Sequence, residues 1–260
     1  MEVSVVGITS AILCLAAPPP RLMRFRRYLF VGPHPDDIEI GAGATAARLC
    51  SEGKEVTFLI CTDGRYGLEN APAGTVPEDL IALRKKESIE GAAMLGVTDV
   101  RFLGLSDGGL YSREELVERM AAIIGDAKPD VVFAPDPFVS SECHADHLAV
   151  GEAARSLAFF APFAEIMERY GAKSSPVEAL AFYMTAKPNR FIKTSSFFSR
   201  QLDAVLCHQS QFPEDSEAYA SLKLYLNLRS VDFGLRCFSL GAEGFRVLGR
   251  TQMHCLPEAR

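Results

Sequence analysis

The side chains of this chain best suited to breaking a covalent bond fall in two short stretches more than a hundred positions apart. Pro33 to Asp37 reads P-H-P-D-D and offers His34, Asp36 and Asp37. His144 to His147 reads H-A-D-H and offers His144, Asp146 and His147. Three ligands drawn from His34, Asp37 and His147 make a mixed nitrogen and oxygen set with an open fourth position, the arrangement of a catalytic zinc rather than a structural one. Such an ion lowers the pKa of bound water from about 15.7 toward about 7 and polarises a carbonyl oxygen. Asp36 adjoins a ligand but faces another side of the turn, where it can take the proton of an attacking water. His144, oriented by Asp146, is placed to hydrogen-bond or protonate the tetrahedral intermediate and then the leaving amine. These residue types favour metal-assisted hydrolysis of an amide or ester, and no G-x-S-x-G elbow or phosphate-binding glycine loop competes with that reading. A plainer alternative makes Asp36 or Asp37 the N-cap of a helix starting at Ile38. It accounts for one aspartate but not for two beside a histidine held between prolines. H-x-x-H arises often by chance, yet three of the chain's five histidines lie in these two stretches.

Each stretch sits where a strand pattern gives out. Tyr28 to Val31 is an apolar run short enough for a buried strand, and Gly32 and Pro33 cannot extend it. Ile38 to Glu52 then reads as a helix rich in Gly and Ala, which lets it pack close to a sheet, with Gly53 as its stop. Glu55 to Cys61 is a second strand, followed by Thr62, Asp63, Gly64 and a Gly/Pro-rich loop to Pro77. Glu78 to Leu95 is a helix carrying Arg84 and Glu87 and closed by Gly96. Asp99 to Leu103 is a third strand that leads to Ser106, Asp107 and Gly108. Ser112 with Glu115 forms a capping box for a helix running to about Ala127, and Val131 to Ala134 is a fourth strand. If His144 opens the next helix, His147 lies one turn on and nearly on the same face. The β-α-β-α-β alternation predicts a single α/β domain with a mostly parallel sheet, right-handed crossovers and flanking helices. Ligands of such sheets bind at the carboxyl ends of the strands.

Composition narrows the partners. A chain of 260 residues with 48% hydrophobic content buries a sizeable core. The net charge of −6 and the lack of long Lys/Arg runs argue against nucleic acid, the basic Arg21 to Arg27 stretch being a solvated flank of the first strand. Seven cysteines without a C-x-x-C pair fit reduced thiols in the cytoplasm, and Cys143 beside His144 reads as an idle thiol. Val3 to Ala17 is nearly all apolar but short of the roughly twenty residues that span a bilayer, so no stable membrane insertion is expected. Glu2 stands where a signal peptide has basic residues. With Pro18 to Pro20 as a break, residues 1–22 are set apart as an extension, an extra strand or an atypical export signal. Residues 23–260 form the domain, and Met23 is an alternative start.

Taken together, P-H-P-D-D and H-A-D-H resemble the PIG-L (LmbE-like) family of zinc-dependent de-N-acetylases, which act on N-acetylglucosamine units with a Rossmann-like fold. The likeness covers roughly Arg27 to His254. It includes T-D-G at Thr62, R-x-x-E at Arg84 to Glu87, L-G-V at Leu95 and H-Q-S-Q-F at His208 to Phe212. A-P-D-P at Ala134 to Pro137, Tyr183 to Asn189 and G-A-E-G-F-R at Gly241 to Arg246 are most similar to its diacetylchitobiose deacetylase branch. The resemblance implies zinc on His34, Asp37 and His147, Asp36 as general base, and His144 assisting the intermediate. It also implies Arg84 and Asp107 on the hydroxyls of an amino-sugar substrate. His254 matches a late histidine that reaches a neighbouring subunit's site, which implies a homo-oligomer. Two departures stand out: Ile192 to Ser195 carries Lys193 where relatives have an acid, and Gln201 replaces a lysine. The rival readings are another metal-dependent amidohydrolase and a sugar-binding module without turnover. A binder has no use for a base beside a metal.

Overall fold

Alternate residues of the central strands feed two separate cores, one on each face of the sheet. From strand β1 (Arg27–Gly32), Leu29 and Val31 enter one core and Tyr28 and Phe30 the other. Strand β4 (Val131–Pro135) divides likewise, Val132 and Ala134 against Val131 and Phe133. A strand covered on both faces must be apolar at every position, which is why these segments read as continuous hydrophobic runs. The computed structural model describes residues 15–254. Strands β2 (Glu55–Thr62) and β3 (Asp99–Leu105) complete the parallel half, and β1 pairs in parallel with both β2 and β4. One face is covered by α1 (Asp37–Ser51) and α2 (Pro77–Leu95), the other by α3 (Arg113–Ala127) and α4 (Ala145–Phe160). The expected elements of this half all form, with ends displaced by a residue or two, and Glu115 N–H donates to Ser112 Oγ at 3.0 Å as the capping box requires.

The last third of the chain, for which the hydrophobic pattern assigns no elements, extends the same sheet. After a short α5 (Ala164–Arg169), β5 (Ala179–Tyr183) runs parallel to β4. β6 (Arg190–Lys193) and β7 (Ala242–Gly249) follow around α6 (Phe198–Leu206) and α7 (Glu217–Arg236), and β7 is antiparallel to both β5 and β6. The strand order is β3-β2-β1-β4-β5-β7-β6. The chain therefore moves outward from β1 through β2 to β3, then returns to the other side of β1 as β4. That reversal opens a crevice beyond the carboxyl ends of β1 and β4, flanked by the loops that carry the two motifs.

The proline break does not detach what precedes it. Leu22 is buried in the core beneath α1, and its carbonyl accepts the Tyr28 hydroxyl at 2.8 Å. Arg190 on β6 donates to the Pro19 carbonyl, and Gln252, just past β7, donates to that of Ala17. The remainder of the extension, residues 1–14, lies outside the described residues. Among those described, no helix is long and apolar enough to cross a membrane, and Cys50, Cys61, Cys143, Cys207 and Cys237 are free thiols.

Candidate active site

The turn after β1 is held by one buried guanidinium. Asp36 has φ 115°, a conformation that costs a side-chain-bearing residue on the order of 1–3 kcal/mol and persists only when neighbours enforce it. Arg84, from the middle of α2 and 4% exposed, does so. Its Nη2 donates to Asp36 Oδ2 at 2.9 Å and to the Pro35 carbonyl at 2.6 Å, and its Nη1 donates to the Gly64 carbonyl at 3.0 Å. The helix-cap alternative fails here, because the Asp36 side chain makes no capping bond and faces Arg84 instead. Arg84, expected on the sugar hydroxyls, thus has Nη2 engaged by the turn after β1 and Nη1 by the loop after β2.

Asp37 joins the two motifs. Its Oδ2 accepts the His34 backbone N–H at 2.8 Å and lies 3.1 Å from His34 Nδ1, while its Oδ1 lies 3.4 Å from His147 Nε2. One ligand atom from each of these three residues lies within 4.8 Å of the others. The opposite edge of His34 faces two more acids: Nε2 is 3.0 Å from Asp146 Oδ2 and 3.5 Å from Asp107 Oδ1. Burial works against charge on His34, but Asp107, Asp146 and Asp37 outweigh it and push the imidazole up to about 12. Three carboxylates around one imidazole make a site with excess negative charge. Burial raises Asp37 as well, yet His147 and His34 overcome this and hold it well below the usual carboxylate range. Asp36 behaves differently: burial pushes it up to about 6, with Arg84 pulling down and Asp37 pushing up. Two adjacent carboxyls are therefore driven apart, one always ionised and the other close to the pH at which a base must work.

His144 caps α4, its Nδ1 accepting the Asp146 backbone N–H at 3.3 Å. Its ring is 47% exposed, with its centroid 4.5 Å from that of His34 and 5.2 Å from that of His147. Asp146 meets His144 through its backbone N–H more closely than through its carboxylate. The Asp146 carboxylate is 3.7 Å from His144 Nδ1 but 3.0 Å from His34, and it accepts the N–H groups of Gly108 and Gly109 at 2.8 and 2.9 Å. Asp146 thereby ties α4 to the loop after β3 and steadies His34. Asp107, in that loop, accepts Tyr66 N–H at 3.2 Å. His254 is not in this cluster; it stacks on Phe159, near the opposite end of α4, with centroids 5.6 Å apart.

Residues outside the two motifs form a second set of buried polar contacts. His208 is fully buried, with Nε2 3.4 Å from Glu39 Oε1. Glu87 accepts Ser210 N–H at 2.8 Å and Ser210 Oγ at 2.6 Å, and Gln211 donates to the Gly67 carbonyl at 2.7 Å. The R-x-x-E and H-Q-S-Q-F segments are thus two halves of one packing unit, with Ser210 bound to Glu87 and Gln211 bound to the loop at Gly67.

The model of the GlcNAc-PI de-N-acetylase (PIG-L) family matches residues 29–158, which include both motifs. Diacetylchitobiose deacetylase of Thermococcus kodakarensis is 32% identical over 238 residues, covering 90% of this chain and 87% of that protein. The chain belongs to the PIG-L family. A second relative, the 1D-myo-inositol 2-acetamido-2-deoxy-alpha-D-glucopyranoside deacetylase of Kineococcus radiotolerans, is 33% identical over 51% of this chain and 45% of its own length. Among solved structures, N,N'-diacetylchitobiose deacetylase from Pyrococcus horikoshii, complexed with its inhibitor MPG, superposes with a TM-score of 0.84 at 28% identity, covering 96% of each chain. The PIG-L match stops at residue 158, so the β5-β7-β6 edge and the helices on it are matched through these full-length relatives.

Proposed function

We propose that this chain is a zinc-dependent deacetylase that hydrolyses the acetamide of an N-acetylglucosamine-type sugar, whether free, in a disaccharide or in a conjugate, releasing acetate and a free amine. The observation that carries the reading is the buried Asp37 carboxylate set between His34 and His147, which come from segments more than a hundred residues apart. Two relatives that differ in the rest of their substrates share an acetamido-sugar in their names. The donor set fits zinc, with two imidazoles, one carboxylate and a surplus of negative charge around them. His34, Asp37 and His147 would hold the ion. The alternative cluster of His34, Asp107, His144 and Asp146 has Asp146 already committed to two backbone N–H groups.

Bound there, zinc would polarise the acetamide carbonyl and make the attacking water more acidic. Asp36 takes the proton from that water, its strained backbone and Arg84 contact fixing the carboxylate in one place. His144, on the exposed side of the cluster, stabilises the tetrahedral oxygen and delivers a proton to the leaving amine. Asp107 is assigned to the sugar hydroxyls, and Arg84 is assigned to the base. We assign the protein to the cytoplasm from its free thiols. His254, at the far end of α4 from its own site, suits a homo-oligomer in which it reaches a neighbour. Acetate release from N-acetylglucosamine, diacetylchitobiose and 1-O-substituted analogues tests the function. No release from any of them by zinc-loaded protein overturns it.

A further inference from the structure

The helix that follows the first motif is broken. Ala42 has φ −153° and ψ 15° in the middle of α1. The three ladder bonds that enclose this position are those from the N–H groups of Gly43, Ala44 and Thr45 to the carbonyls of Glu39, Ile40 and Gly41. Two of these donors and two of these acceptors are taken up by side chains from the other end of the chain. Glu243 on β7 accepts Ala44 N–H at 3.2 Å and Thr45 N–H at 2.6 Å. Gln201 on α6 donates through Nε2 to the Glu39 and Ile40 carbonyls at 2.9 and 3.1 Å, and lies 3.1 Å from Glu243 Oε1. Both residues are buried, and α1 contains no proline to explain the break. The inserted amide and carboxylate are a recognised cause of such a kink. Tyr183 adds a wedge: a Cβ on residue 41 would fall against its ring.

On the N-terminal side of the break lies a single turn, which carries Asp37 and is entered from Asp36. On the C-terminal side, Ala46, Ala47 and Leu49 anchor the helix to the sheet. We propose that Gln201 and Glu243 are positioning residues for the deacetylation: their paired side chains splint the break in α1 and set where Asp36 and Asp37 stand relative to His34 and His147. The kinetic part of this inference rests on the deacetylase reading; the geometric part does not. Arg84 holds the same turn from its other side, through Asp36 and Pro35.

A splint that only added stability would lower the melting temperature and leave each folded molecule fully active. The test uses full-length Glu243→Gln, Glu243→Ala and Gln201→Ala proteins. Glu243→Gln keeps the volume but sets an amide N–H against a backbone N–H, so it serves if the Ala variant does not fold. Three quantities are read: kcat and KM for acetate release, zinc affinity by competition with a chromophoric chelator, and the visible spectrum of the Co2+ form. Lost support of ligand-bearing groups costs about 10–100-fold in affinity or activity. The expected result is a kcat lower by about that factor with KM within about threefold, weaker zinc and displaced Co2+ bands. Folded Glu243→Gln and Gln201→Ala proteins with parental kcat, zinc affinity and Co2+ spectrum overturn the proposal. If the parent releases no acetate, the deacetylase reading fails on its own, and the Co2+ and zinc measurements still decide the splint.

Discussion

Replacing Arg84 with Met asks whether this guanidinium serves the base or the sugar. The substitution keeps a long apolar stem in a buried position and deletes the charge 2.9 Å from Asp36 Oδ2. Asp36 sits at about 6, with burial raising it and Arg84 lowering it. An opposite charge at this range depresses a carboxyl by about 1–3 pH units, so its loss raises Asp36 by about that much. The variant should therefore show an acid limb of kcat/KM displaced upward by about 1–3 in pH, with activity falling most on the acid side of that limb. Bound zinc lowers Asp36 in parent and variant alike, so the displacement is the quantity to read. Arg84→Lys keeps the charge and should hold the limb near its parental position. Arg84→Met loses stability, because the Pro35 and Gly64 carbonyls lose their donors at about 1–3 kcal/mol each if left unpaired. The assay is a pH series of acetate release from pH 5 to 9 on protein shown to be folded. A parental acid limb in Arg84→Met together with a raised KM would refute the reasoning and return Arg84 to the sugar.

Asp36→Asn should retain zinc and lose turnover, whereas His147→Ala should lose both; metal content and acetate release of the purified proteins check the pair, and a zinc-replete His147→Ala protein removes that residue from the ligand set. Gly41→Ala drives a methyl group into the Tyr183 ring and should destabilise the fold by about 1–3 kcal/mol, read by urea unfolding; an unchanged midpoint refutes the wedge. Burial raises Glu243 from 4.5 to about 7 against the pull of Thr45 and Ala44. A carboxyl raised on folding contributes stability that is complete below about 4.5 and lost as pH rises through about 7. The melting temperature of the parent relative to Glu243→Gln should accordingly fall across that window, and a constant difference contradicts the assignment. If His254 acts on a neighbouring subunit, His254→Ala should be inactive alone and mixing it with Asp36→Asn should restore activity by pairing an intact base with an intact His254; a fully active His254→Ala protein places His254 outside the reaction, and an inactive one without recovery places it in its own subunit's site.

The strands and helices up to α4 are legible in the sequence because each reports its own surroundings. β1 from Tyr28 on and β4 are covered on both faces and so are apolar there, while Gly32 and Pro33 end β1 where the chain must turn. The motif residues are legible for a related reason, since His34, Asp36, Asp37 and His147 keep the residue types and local spacing that their chemistry requires. Their convergence depends on strand order. β4 returns beside β1 instead of continuing past β3, and no local pattern encodes that choice. The same holds for the pairings across it: Arg84 on Asp36, Asp146 nearer to His34 than to His144, and Glu243 and Gln201 on a break in α1 that begins at an ordinary alanine. Residue type and periodicity follow from burial and backbone geometry over a few positions, so they can be read along the chain. Which carboxylate meets which imidazole follows from contacts between segments up to 199 residues apart, and these exist only once the sheet has formed.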